Sequence, residues 1–211
     1  MPGMDFDLIL RQGRLPDGRI VDVGVAGDRI AAVEPALPAT DGPELDCRDH
    51  LLSPPFVDAH FHLDAARALG DRVNRSGTLL EGIALWGEIK PELTVQAVYD
   101  RAMAYCDLAV AQGIGAVRTH VDVCDPRLVA VEALLAVREA VKPYLTLQLV
   151  AFPQDGYLRD PAAQALLARA LDLGVDVVGG IPHFERTTAE GDQSVAALCR
   201  LAAERGLLVD M

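Results

Sequence analysis

The sequence lacks the features that mark secreted, membrane-spanning and nucleic-acid-binding proteins. No run of about 20 apolar residues is present to span a bilayer. The N-terminus has no basic start followed by an apolar core, as a signal peptide would have. The 19 basic residues against 31 acidic ones give a formal net charge of −12, which repels phosphate backbones. We therefore expect a cytoplasmic protein with no membrane partner and no nucleic-acid partner.

Cysteine is also scarce and scattered. The four cysteines, Cys47, Cys106, Cys124 and Cys199, include no Cys-x-x-Cys pair, which favours reduced structural thiols over a disulfide framework. The H-x-E…P-C-x-x-C signature of the small zinc nucleoside and nucleic-acid deaminases is absent as well. The overall composition, 51 % hydrophobic and 24 % charged, is that of an ordinary globular protein.

Residues 1–50 differ in pattern from the rest of the chain. Short β-branched and apolar stretches are separated by turn signals at Pro16–Gly18 and at Gly27–Asp28. Short strands at this spacing are typical of antiparallel sheets. We predict that residues 1–50 form a small β-sandwich-type segment.

From residue 51 onward, apolar runs alternate with amphipathic helical stretches. The runs centre near Val57, Val117, Leu149, Val178 and Leu208. The last four are about 30 residues apart, the size of one βα unit, and stretches such as 146–152 are apolar on both faces, as in a helix-covered parallel sheet. The pattern predicts an α/β fold in which residues 51–211 hold the first four βα units and the fifth strand of a TIM-type (βα) barrel. A complete eight-unit barrel needs about 250 residues, more than the 211 available.

Helix limits can be predicted from capping residues. Thr94 is placed to cap a helix that ends at Gly113. Asp125 stands before Pro126, a pair that suits the start of the next helix.

Histidines fall where the predicted strands end, and the chemistry of a βα barrel lies at those ends. His60 and His62 are two residues apart on the first barrel strand, so both side chains leave the same face. Two converging imidazoles can bind one divalent metal ion. Such a pair can also arise by chance on a solvated strand, but its position at the end of an apolar strand favours a metal site.

Other polar residues at the strand ends have two interpretations each. His120 and Asp122 share a face and could ligate a metal, orient a ligand, contact substrate or form a satisfied interior pair. Gln154 presents a donor and an acceptor that suit an amide-like or pyrimidine edge, or it stabilises its own turn. His183 and Glu185 are equally open between substrate contact and structure. Trp86 is interpreted as a packing residue.

Five sequence blocks in a fixed order resemble the bacterial cytosine deaminase group of the metal-dependent amidohydrolase superfamily. They are PFVDAHFHLD, NRSGTLLEGIALW, RTHVDV, LQLVAFPQDG and GIPHFE. The first block is typical of the superfamily, and the later blocks are specific to the deaminase group. The resemblance extends from about residue 51 to residue 211.

The resemblance implies a distorted barrel with one catalytic divalent metal, Fe²⁺ or Zn²⁺. It implies that His60 and His62 are metal ligands, that Gln154 hydrogen-bonds the pyrimidine ring, and that the backbone at Leu79 contacts substrate. The implied reaction is hydrolytic deamination, first of all of cytosine to uracil and ammonia, in which metal-activated water attacks the amino-bearing carbon. The implied partner is a small aminopyrimidine, and the full-length form is expected to be a homo-oligomer.

The family places a third metal histidine and a proton-shuttling glutamate just after the fifth strand, which here ends at Met211. No residue of this chain matches that glutamate, so we expect the chain to be the N-terminal part of such an enzyme and to be inactive alone. The alternatives are an amidohydrolase acting on an isocytosine, triazine or creatinine-like ring, a non-catalytic half-barrel that oligomerises and binds a ligand, and a structural α/β domain.

Overall fold

The computed structural model describes residues 6–68, 70 and 72–211, and these residues form two units. The first unit ends at Pro54, and the second extends from Pro55 to Met211. Within the described residues, no helix combines the length and the apolar character that crossing a membrane requires.

The first unit is built on one four-stranded sheet. Its strands are β1 (Leu8–Arg14), β2 (Ile20–Ala26), β3 (Arg29–Glu34) and β4 (Glu44–Asp46), in the order β3-β2-β1-β4. The first three pair antiparallel, and β4 pairs parallel with β1. The predicted N-terminal β segment is therefore confirmed, while its sandwich-type packing stays a prediction.

A buried carboxylate organises this sheet. Asp22 on β2 accepts hydrogen bonds from the guanidinium of Arg11 at 2.7 Å and from the backbone N–H groups of Gln12 at 2.8 Å and Leu37 at 2.9 Å. Burial alone would raise the pKa of Asp22, but these donors outweigh it and hold the pKa below the ordinary value of 3.8. The ionised carboxylate thus ties β1 and the loop after β3 to β2.

The second unit contains the predicted parallel half-barrel. Its strands are β5 (Phe56–Phe61), β6 (Ile114–Asp122), β7 (Thr146–Phe152), β8 (Val177–Gly179) and β9 (Leu208–Asp210). Their spatial order follows the chain, and every neighbouring pair is parallel. The carboxyl ends of all five strands consequently lie along one edge, where the polar residues singled out in the sequence are found.

Five helices connect these strands in the described residues. They are α1 (Leu79–Ile89), α2 (Val95–Ala111), α3 (Val129–Val141), α4 (Ala163–Asp172) and α5 (Thr188–Arg205), with 3-10 turns at Lys90–Glu92 and Pro182–Phe184. The core lies where α2, α3 and α4 pack on the sheet, and its fully buried members include Val98, Leu134, Leu149 and Leu167. In α1, by contrast, no residue is buried.

The capping predictions have mixed outcomes. Thr94 caps α2, because its hydroxyl accepts the backbone N–H of Ala97. The helix predicted at Pro126 begins only at Val129. The reason is local: the carboxylate of Asp125 binds both the backbone and the guanidinium of Arg127, and Leu128 takes a left-handed φ of 53° before the helix starts.

Candidate metal centre

Three histidines from two adjacent strands converge at the carboxyl edge of the half-barrel. One ring nitrogen of each of His60, His62 and His120 lies within 4.8 Å of the others. The ring centroids of His60 and His120 are 4.1 Å apart, and that of His62 lies 5.4 Å from both. His60 is exposed, His62 is half-buried and His120 is 1 % exposed, so the cluster leads from solvent into the interior.

A β-bulge in β5 sets the direction of its two histidines. Asp58 pairs with Val117 and Phe61 with Thr119, so three residues of β5 cover the distance that two residues cover on β6. Phe61 stacks on Tyr105 of α2 at 4.1 Å, and the Tyr105 hydroxyl donates to Asp58 at 3.3 Å. Asp58 and Phe61 therefore face α2, while His60 and His62 face His120 on the other side of the strand.

Burial favours the neutral imidazole at His62 and His120. Burial, and then the neighbouring His120 and His60, lower the pKa of His62 to about 4. Burial also lowers the pKa of His120, although its hydrogen bond to Asp210 opposes that effect. At neutral pH His62 and His120 accordingly present nitrogen lone pairs, the form in which imidazole ligates a divalent metal.

His120 carries one satisfied and one unsatisfied nitrogen. Its Nε2 lies 3.1 Å from Oδ1 of Asp210, at the end of β9. Its Nδ1 is buried and has no hydrogen-bond partner among the described residues. A buried polar atom without a partner is unusual and requires an explanation. Two nitrogens bound to one ion at about 2.1 Å are at most about 4.2 Å apart, and the separations in the cluster, none above 4.8 Å, are close to that limit. The three histidines thus fit a divalent metal.

Asp122 lies on the same face of β6 as His120 but has other partners. Its Oδ2 accepts the indole N–H of Trp86 at 2.9 Å and lies 2.8 Å from Nζ of Lys90. The same ammonium reaches Oδ2 of Asp155 at 2.6 Å. Burial by itself would lower the pKa of Lys90, but the two carboxylates raise it above its ordinary value. Lys90 is therefore a permanently charged link in this edge of the barrel.

The remaining predicted residues lie apart from the histidine cluster. Leu79 opens α1 and is 77 % exposed. Gln154 sits half-buried in the turn after β7. His183 lies exposed in the 3-10 turn after β8 and lines a cavity of about 640 Å³ together with residues at the start of α5. Within the described part of the chain, none of the three makes a hydrogen bond or ring contact with the cluster, so their predicted roles stay predictions.

Glu185 has a structural role, one of the two roles that the sequence left open for it. The buried carboxylate accepts the backbone N–H groups of Tyr157 at 2.7 Å, Leu158 at 3.1 Å and Arg159 at 3.1 Å. It ties the loop after β7, which carries Gln154, to the loop after β8.

Lys90 and Asp210 were missed by the sequence reasoning, although Asp210 could have been found as the polar end of the fifth predicted strand.

The family membership predicted from the sequence blocks is confirmed by similarity to known proteins. The model of the Amidohydrolase family matches residues 44–211. A curated relative, the N-isopropylammelide isopropyl amidohydrolase of Pseudomonas sp. (strain ADP), is 32 % identical over 98 % of this chain and 53 % of its own length. The pterin deaminase of Rhizobium rhizogenes is 30 % identical over 92 % of this chain and 42 % of its own length.

A solved structure with a similar fold is that of 5-methylcytosine deaminase from Klebsiella pneumoniae liganded with 5-fluorocytosine. It is 39 % identical, has a TM-score of 0.89, and is matched over 96 % of this chain and 50 % of its own chain. The chain thus spans about half the length of these relatives. Its parallel half-barrel matches the first half of an amidohydrolase TIM barrel, and a small N-terminal sheet precedes it.

Proposed function

The chain belongs to the amidohydrolase family, and we propose that the protein hydrolytically deaminates a cyclic aminopyrimidine, with cytosine as the first candidate. The observation that carries this proposal is the cluster of His60, His62 and His120 at the carboxyl edge of the parallel strands. The edge is where βα barrels place their chemistry. The 39 % identity to a 5-methylcytosine deaminase supports the choice of ring.

We propose that His60 and His62 hold one divalent ion, Fe²⁺ or Zn²⁺, with His120 as the third nitrogen of the group. Such an ion, when bound, lowers the pKa of a water molecule toward neutrality and makes it a nucleophile at physiological pH. The hydrogen bond between His120 and Asp210 fixes the tilt of the His120 ring. The ring of Phe152 makes edge-to-face contacts with His62 and His120, at centroid distances of 5.5 and 5.1 Å, and so places an apolar side chain against the group.

Substrate recognition is assigned to Gln154 and Leu79. The side-chain amide of Gln154 has no hydrogen-bond partner among the residues described, so both its donor and its acceptor are available to a pyrimidine edge. The backbone at Leu79, at the exposed start of α1, is the second proposed contact. His183 is kept as a candidate substrate contact.

The proton shuttle has no candidate among these residues. In the described part of the chain, no glutamate forms a hydrogen bond or ion pair with the histidine cluster, and a deaminase needs such a group to carry the proton to the departing ammonia. We propose that the 211 residues alone therefore bind the ion but do not turn over substrate.

Two other ring classes follow from the relatives. One relative is an N-isopropylammelide hydrolase and another a pterin deaminase, so a triazine or a pterin is the second candidate substrate.

We further propose a cytoplasmic homo-oligomer. All four cysteines are free thiols, three of them buried, which is the state expected in a reducing compartment.

Ammonia release tests the reaction. The protein is expressed at the length its gene encodes, freed of metal and reloaded with Fe²⁺ or Zn²⁺. It is then assayed with cytosine, 5-methylcytosine, isocytosine, N-isopropylammelide and pterin, and for N-isopropylammelide the amine measured is isopropylamine instead of ammonia. The highest kcat/KM is expected for cytosine or 5-methylcytosine. Turnover of the ammelide or pterin alone would overturn the aminopyrimidine assignment, and absence of turnover with all five rings would overturn the deaminase proposal.

Metal content tests the site separately from activity. The double substitution His60→Ala, His62→Ala is expected to abolish binding of the ion measured by elemental analysis after dialysis. His50→Ala is the matched control, because His50 is an exposed histidine of the first unit whose Nδ1 lies 2.8 Å from the carbonyl of Arg48. Equal metal content in the double variant and the control would overturn the assignment of the histidine cluster.

A further inference from the structure

A lysine connects three elements at the carboxyl edge of the half-barrel. Lys90 begins the 3-10 turn that follows α1 and is only 9 % exposed. Its ammonium lies 2.8 Å from Asp122 at the end of β6 and 2.6 Å from Asp155 in the turn after β7. Its position therefore depends on both strands at once.

The Asp122 side of this link is rigid. The carboxylate accepts the backbone N–H of Cys124 at 2.8 Å and the indole N–H of Trp86 at 2.9 Å. The backbone N–H of Asp122 in turn donates to the buried carboxylate of Asp64 at 2.8 Å. Asp122 is thus held from three directions and serves as an anchor.

The Asp155 side, in contrast, belongs to a half-buried turn outside the regular strand. The side chain of Asp155 is 46 % exposed, and its backbone N–H donates a hydrogen bond to Sγ of Cys124 at 3.4 Å. The turn itself is closed by two backbone bonds, from Gln154 N–H to the carbonyl of Phe152 at 2.9 Å and from Gly156 N–H to the carbonyl of Pro153 at 2.8 Å. Gln154 lies inside this turn, directly before Asp155. Among the described residues, the ammonium of Lys90 is accordingly the charged group of another element that binds the side chain of Asp155.

Ion pairs such as those of Lys90 fix the position of the backbone more than they increase the free energy of unfolding. Desolvation of a buried ammonium offsets much of its attraction to the carboxylates, so the ion pair is a weak source of folding free energy. Fixing a side chain that orients a ligand, however, requires a group that locks the supporting backbone.

We infer that Lys90 is a positioning residue that holds the Gln154 turn against the end of β6, through its paired contacts to Asp122 and Asp155. This inference rests on the proposed role of Gln154 in binding the pyrimidine ring. Lys90 itself touches neither the ring nor the histidine cluster. It sets where the Gln154 amide stands before substrate arrives.

The deciding variant is Asp155→Ala, which removes the ion pair between Lys90 and the turn. It leaves no buried charge unpaired, because Lys90 still pairs with Asp122. In the protein at the length its gene encodes, backbone amide exchange at 154–156 is expected to become about tenfold faster, with the exchange of β7 unchanged. KM for cytosine is expected to rise about tenfold, with kcat within about threefold of its original value. Asp155→Asn keeps an oxygen for the ammonium and is expected to restore most of both properties.

Asp172→Ala is the matched control. Asp172 is an exposed carboxylate in an ion pair with Arg205, on helices away from the turn, and its removal is expected to change neither readout. Unchanged amide exchange in Asp155→Ala would overturn the inference, whatever the activity. Faster exchange with an unchanged KM would also overturn it. If the unmodified protein deaminates no ring compound, the proposed function fails, and amide exchange alone still decides whether Lys90 holds the turn.

Discussion

Replacing Glu185 by alanine tests how the loop that carries Gln154 is attached to the barrel. The carboxylate of Glu185 accepts three consecutive backbone N–H groups, those of Tyr157, Leu158 and Arg159. An N–H left without a partner costs about 1–3 kcal/mol when it stays buried. Tyr157 is buried and Leu158 partly so, while Arg159 is exposed and its N–H can turn to water. We therefore expect Glu185→Ala to lower the free energy of unfolding by about 3 kcal/mol.

Other contacts limit the damage in this variant. The guanidinium of Arg159 donates to the carbonyl of Phe184 at 2.9 Å and lies 4.5 Å from the centre of the Phe184 ring. These contacts keep the two loops together when the carboxylate is gone. Glu185→Gln retains one oxygen acceptor, so we expect it to lose about half as much stability as the alanine variant.

Urea unfolding followed by circular dichroism measures the effect, with the slope of free energy against urea expected to stay constant. Glu204→Ala is the control, since Glu204 is an exposed residue of α5 whose side chain makes no hydrogen bond or ion pair with the described residues. Its substitution should change stability by less than about 0.5 kcal/mol. If Glu185→Ala were as mild as the control, the carboxylate would not be what holds the loop.

Two further substitutions probe the scaffold. Asp22→Asn should cost about 2 kcal/mol at pH 7, because charged hydrogen bonds to Arg11, Gln12 and Leu37 are weakened. Since folding depresses the pKa of Asp22, this contribution is present above pH 3.8 and is lost as the pH falls through the folded-state pKa. Urea unfolding at a series of pH values should show the variant and the original converging in acid, and a pH-independent difference would contradict this. Leu134→Ala should cost about 2–5 kcal/mol in the same assay, because Leu134 is fully buried in the core; a loss below about 1 kcal/mol would contradict its place there.

The parallel strands could be predicted because their sequence signal is strong and local. The stretch from Thr146 to Phe152 is apolar on both faces, and the structure has β7 over the same residues. The spacing of about 30 residues then fixed the order of the strands, since short right-handed crossovers place successive strands side by side. The start of α3 could not be predicted in this way, because the pairing of Asp125 with Arg127 competes with the capping role of the aspartate.

The histidine cluster could be predicted only in part. That His60 and His62 share a face follows from the two-residue period of a strand. The bulge that turns Asp58 toward α2 has no signal in that period, because it depends on register with β6. His120 was assigned several possible roles, since its distance from His60 is set by the pairing of two strands that are separated by more than 50 residues.

Lys90 shows why the surroundings of a site are harder to predict than its ligands. In the sequence it is an ordinary lysine before a proline, and nothing in its neighbours marks it as buried. Its burial arises because the end of α1 meets β6 and β7 at one point, where Asp122 and Asp155 stand 2.8 and 2.6 Å from the ammonium. A metal ligand can be recognised from its own side chain and strand position, whereas a positioning residue is defined by partners 32 and 65 positions away in the chain. The position of the turn that carries Gln154 is accordingly specified by the fold as a whole, and we expect substitutions such as Asp155→Ala to alter it without touching any residue that the sequence marks as functional.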